Sequence, residues 1–139
     1  MNRADLQELA DLRIAEADAL LTLPDPCPDG AYYLAGYAVE CGLKACIAKS
    51  YSPESWPEKD FVAKCHTHDI FALIRLAGLE TARTAAVAAN PALAANLDIV
   101  KDWSEKSRYE RHPQTAAQDL YAAITDSANG VLPWIKVHW

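Results

Sequence analysis

The sequence predicts an all-α protein: a single domain over residues 1–139, built as an antiparallel, up-and-down bundle of four to five helices. Three observations carry this. Every hydrophobic periodicity runs at threes and fours, the spacing of one helix face, and none at twos. Pro, Gly, Asn and Asp fall between those stretches, where helices start and stop. No segment reads as a strand, an internal repeat or a glycine-rich phosphate loop. A chain of 139 residues buries about 70% of its unfolded surface, so it needs no staple.

The first helix spans about Asn2 to Leu23, with Leu6, Leu9, Ala10, Ala17, Leu20 and Leu21 on one side and Asp5, Glu8, Asp11, Glu16 and Asp18 elsewhere. "PDPCPDG" stops it. Asp29 is placed to cap the second helix, which runs to about Lys49. "SYSPESWPEKDFVAKCH" then reads as a long connection. A short third helix begins at Thr67 or His68, buries Ile70, Leu73, Ile74 and Ala77, and stops at Gly78. "TARTAAVAAN" is helix-prone but weakly apolar. Asn90 as cap and Pro91 in the first turn open a helix reaching about Trp103. The last helix opens with a Thr115–Gln118 capping box and carries Ala117, Leu120, Tyr121, Ile124, Ala128 and Val131, with a kink or an end at Gly130 and Pro133.

Composition narrows the function classes. No apolar run approaches the roughly 20 residues of a membrane span, and acids interrupt the N-terminus where a secretory signal needs an unbroken apolar stretch, so the expected location is cytoplasmic. The four cysteines, Cys27, Cys41, Cys46 and Cys65, have no CxxC spacing and read as thiols. A formal net charge of -6 argues against a broad nucleic-acid-coating surface while permitting a small phosphate site. "CHTHD" holds zinc-ligand types without a complementary pair elsewhere, and neither Cys41 nor Cys65 sits in an oxyanion-forming motif. No metal or cofactor is expected.

Two constellations carry chemistry. On the second helix, Tyr33, Tyr37, Glu40 and Lys44 share a stripe beside the apolar Leu34, Ala38, Cys41, Ala45 and Ala48, and Gly36 and Gly42 leave room for a close neighbour. A helix this apolar is central to its bundle or packs on a second subunit. Glu40 and Lys44 are either an i,i+4 ion pair or a site in which Glu40 holds a cation from another element. The second constellation is "WSEKSRYERHPQ", which brings Trp103, Lys106, Arg108, Tyr109, Arg111 and His112 to a loop at one end of the bundle. Arg108 suits bidentate contact with a carboxylate or phosphate, which makes it the candidate partner of Glu40. Asp102, Glu105 and Glu110 nearly cancel the local charge, so a solvated connection anchored by Trp103 and Tyr109 is the alternative. Tyr32, Tyr33 and Tyr37 read as core or interface residues, and Trp134, His138 and Trp139 as an aromatic tail.

The helix "YYLAGYAVECGLKACIAK", followed by "HTHDIFALIRLAGL" and then "W…RY" before a final helix, resembles the HEPN family (higher eukaryotes and prokaryotes nucleotide-binding) over about residues 5 to 128. The resemblance implies an up-and-down bundle, a homodimer, and a minimal nucleotidyltransferase as partner in a toxin–antitoxin or defence pair acting on RNA or nucleotides. Many members are metal-independent ribonucleases with an Arg-x(4–6)-His motif, which would make Arg108 the phosphate-binding group and His112 the acid or base. Glu40 would orient Arg108, with Lys44, Tyr37, Tyr109 and Trp103 supporting the site. Only three residues separate Arg108 from His112, one short of the motif, and Lys106, with five residues between it and His112, lacks the guanidinium fork. A catalytically silent interaction or nucleotide-binding module is the other expectation.

Overall fold

A computed structural model describes residues 1–51 and 58–139, and among them all regular structure is helical, in a bundle. Helix α1, Arg3–Thr22, starts on a capping box: the Asn2 side chain accepts from the Asp5 N–H (3.1 Å), and the Asp5 carboxylate accepts from the Asn2 N–H (2.7 Å). A short turn closed by the Cys27 N–H on the Leu20 carbonyl (3.0 Å) leads into α2, Pro28–Ser50. The two run antiparallel. Gly30 of α2 lies against Leu20 of α1 at one end, and Leu6 meets Ile47 and Ala48 across a shared cavity at the other.

Helix α2 is the centre of the bundle, packed by α1, by three later helices and by a short 3₁₀ turn. Its apolar sequence is therefore explained within one chain. The cap differs from expectation: Cys27 occupies the N-cap, Pro28 the first position and Asp29 the first turn, where its carboxylate meets a distant loop. Proline sets that start, because its fixed φ and missing N–H fit the first helical position.

The long connection after α2 is shorter than expected. Lys59–Cys65 forms helix α3, one face of which brings Phe61 and Cys65 onto the core; Ser52 to Pro57 of the expected loop lie outside the described residues. Helix α4, Ile70–Leu76, buries Ile70, Leu73 and Ile74, and Gly78 follows in the left-handed region (φ 71°). Helix α5, Glu80–Ala89, lies on the outside with no fully buried residue. Helix α6, Pro91–Val100, is capped by the Asn90 side chain, which accepts from the Ala92 and Leu93 N–H groups (both 3.1 Å). It stops short of Trp103. The 3₁₀ turn Glu105–Tyr109 follows.

Helix α7, Gln114–Thr125, begins one residue before the expected capping box. Thr115 thus lies inside the first turn, where its hydroxyl cannot serve as a cap, and Pro113 takes that place in extended geometry. The helix ends where Asp126 accepts from the Ala128 and Asn129 N–H groups (3.0 and 2.6 Å), and α8, Val131–Lys136, restarts with Pro133 in its first turn. Val39, Leu43, Leu73, Leu97, Leu120, Ile124 and Ile135 centre the core. Among the described residues, no helix is long and apolar enough to cross a membrane.

Candidate functional site

Glu40 is 2% exposed, and its carboxylate is satisfied on both oxygens. Lys44 Nζ donates to Oε1 at 2.8 Å, one helical turn along α2. The second partner is His68, whose Nδ1 lies 3.0 Å from both oxygens. The expected Arg108–Glu40 pair is not formed. His68 reaches Glu40 because the chain around it is fixed: Asp69 caps α4 by accepting from the Ala72 N–H (2.6 Å), and Thr67 Oγ1 accepts from the Asp69 N–H (3.2 Å). A buried carboxylate keeps its charge only with such partners. With Nδ1 turned to Glu40, Nε2 of His68 is directed away, beside a mixed-charge cleft shared with Asp69, Lys101, Asp102 and Lys106.

Arg108 goes elsewhere. Its guanidinium lies 4.9 Å from the ring centre of Tyr109, and hydrogen bonding to the Tyr109 and then the Tyr33 hydroxyl raises its pKa, so it stays fully charged. Arg108 and Tyr109 are both exposed, the latter at 78%, and no carboxylate pairs with Arg108 among the described residues. The turn that carries them is anchored by Trp103, which is 2% exposed and seated on Gly36 of α2. Tyr33 and Tyr37 stack at 6.0 Å, and Tyr33 tilts onto Trp103 at 6.1 Å, so an aromatic row runs along α2 beneath the turn.

His112 is held apart from Arg108. Its imidazole stacks on Tyr32 with ring centres 3.8 Å apart and planes 8° from parallel, and its buried Nε2 has no hydrogen-bond partner. Its backbone N–H donates to Asp29 Oδ1 at 2.6 Å, while Arg111 donates to Oδ2 at 3.0 Å. The His112 N–H, followed by Arg111, holds the Asp29 carboxyl below its ordinary range against the opposing effect of burial. Asp29 is therefore a latch for this loop. Burial, reinforced by Glu40, pushes the Cys41 thiol up to about 11, which removes it as a nucleophile at neutral pH.

One chain thus carries two polar groups around Trp103. Buried Glu40 is paired with the partly exposed Lys44 and His68, and Arg108 and Tyr109 form an open cation–aromatic surface with His112 nearby in sequence but packed on Tyr32. His68, Tyr32 and Asp29 are the members that sequence reasoning placed elsewhere. The His68–Asp69 helix start was a usable signal, whereas nothing in the spacing of Tyr32 or Asp29 points to residue 112. Among the described residues, no three His, Cys, Asp or Glu side chains converge as a metal site.

Fold and geometry define the class: an all-helical bundle with a buried carboxylate network and an exposed arginine–tyrosine turn. Set against models of protein families, against curated proteins and against solved structures, the chain finds no match.

Proposed function

We propose that this chain is a HEPN-like protein that acts on RNA or a nucleotide, as the toxin-like member of a toxin–antitoxin or defence pair, working as a homodimer in the cytoplasm beside a minimal nucleotidyltransferase. The observation that carries the nucleic-acid part is the Arg108–Tyr109 pair. Its guanidinium has no acidic partner among the described residues and its ring is open to solvent. A phosphate and a stacked base are the ligands that such a pair satisfies together. The dimer and the partner protein rest on the family resemblance alone.

His112 favours a second reading, a catalytically silent binding module. Its ring is stacked on Tyr32 and its Nε2 is buried, so within one chain it does not face the phosphate that Arg108 would hold. Purified protein incubated in chelator with end-labelled transfer RNA and a structured RNA tests both readings by filter binding and by gel. Salt-dependent binding that Arg108→Ala weakens at least tenfold supports the RNA reading. Cleavage lost in both Arg108→Ala and His112→Ala makes it a ribonuclease, and binding without cleavage makes it the silent module. Binding unchanged by Arg108→Ala would sink the assignment of this surface.

A further inference from the structure

Where the N-terminal half of α1, the C-terminal half of α2 and helix α3 meet, they line an open cavity of about 550 Å³. Small-molecule sites occupy roughly 300–1,000 Å³ and combine apolar walls with a few placed polar groups. This one has that form. Leu6, Ile47, Phe61 and Val62 supply apolar wall, and Glu40 and Lys44 stand at its polar side. Val62 is an exposed aliphatic side chain on that wall, left in water by the fold itself.

Hydrogen-bond capacity decides what the polar side can recognise. Oε1 of Glu40 already accepts from Lys44 and His68, and Oε2 from His68. Lys44 carries three N–H donors and directs one to Glu40. Tyr37 and Cys41 also line the wall. Lys44 therefore brings two uncommitted N–H donors to the polar side of the cavity. His68 also contacts the Glu40 carboxylate, and the Lys44 side chain stays 24% exposed, so its ammonium is accessible from the cavity. An apolar body with an anionic, acceptor-only head completes both halves of the site.

We propose that this cavity binds a small monoanionic amphiphile, an aliphatic or aromatic carboxylate whose head meets Lys44 and whose body lies along Phe61 and Val62. The proposal is independent of RNA binding, which is read at Arg108. Decanoate, kept below its micelle-forming concentration and titrated into the full chain by calorimetry, is the probe, with decanol as the uncharged match. The expected result is saturable one-to-one binding of decanoate, at least tenfold tighter than decanol. Lys44→Met should remove that preference, and Val62→Glu should weaken decanoate at least tenfold while leaving the helical circular dichroism unchanged. Absence of saturable decanoate binding, or equal binding of decanoate and decanol to the parent chain, overturns the proposal. That comparison needs no variant, so it stands even if Lys44→Met unfolds the chain by exposing Glu40.

Discussion

Replacing Gly36 by Ala separates two opposed effects at one position. In an unobstructed helix interior the change gains about 1 kcal/mol, because Ala restricts the unfolded chain and fits the helix better than Gly. Here a Cβ on residue 36 would fall inside the indole of Trp103, against three of its ring carbons. Trp103 is 2% exposed, and the added Cβ would meet the base of its indole and not a flexible end. Overpacking a core costs about 1–3 kcal/mol, and full expulsion of a buried Trp about 3–5 kcal/mol. Because the Cβ would fall on the indole ring itself, expulsion sets the scale, and after the propensity gain is subtracted Gly36→Ala should destabilise by about 2–4 kcal/mol. Urea denaturation followed by far-ultraviolet circular dichroism measures this directly. A second variant makes the sign diagnostic: in a Trp103→Ala background the obstruction is gone, and the same Gly36→Ala change should become neutral or stabilising. Gly36→Ala that is neutral or stabilising in the parent chain would refute the seating of Trp103 on α2. It would equally remove the anchor of the turn that presents Arg108.

Two further outcomes follow from the buried groups. His68→Leu should destabilise by about 1–3 kcal/mol, because it leaves Glu40 Oε2 without a partner; adding Glu40→Met should restore much of the loss, since an apolar pair has no charge to satisfy, and equal stability of His68→Leu and the parent in urea would contradict the network. Burial raises the Cys41 and Cys46 thiols from 9.0 to about 11, and a folded-state value above the unfolded one gives stability that is complete below pH 9 and lost as pH climbs towards 11. The denaturation midpoint should fall across that window, and a thiol reagent at pH 8 should modify exposed Cys27 well before either buried thiol; a midpoint flat from pH 8 to 11 would contradict that burial.

The bundle was legible because helix periodicity, caps and breakers are local. Asn2, Asn90 and Gly78 act where their residue types indicate, and α2 announces its central place through small and apolar residues on nearly every face. Local signals failed where a competing start lay nearby. Pro28 and Pro113 fixed the helix starts ahead of Asp29 and Thr115, leaving those side chains inside the first turn. Helix α3 was hidden because "PEKDFVAKC" is charged and short, with only Phe61 and Cys65 to pack inward.

The site was harder to read because it is made of pairings between elements, and residue type ranks partners by chemistry without placing them. Arg108 is the better carboxylate partner than His68 by donor number and fork geometry. Yet a partner must first arrive, and the Asp69 cap delivers His68 to Glu40 while Trp103, seated on Gly36, carries Arg108 out over Tyr109. The same logic bears on Arg108 and His112. Asp29 holds residue 112 by its backbone N–H, not by its ring. The imidazole is held by stacking on Tyr32, worth about 0.5–1.5 kcal/mol, and by Glu110, whose carboxylate lies 3.8 Å from its Nε2. Turning the ring towards a bound phosphate therefore requires a side-chain rotation with the loop still latched, exchanging the Tyr32 stack and the Glu110 contact for a charge-assisted hydrogen bond worth about 1.5–3 kcal/mol. Glu110 already places a carboxylate oxygen beside that Nε2, so a phosphate held at Arg108 would have to compete with an acidic neighbour for the ring.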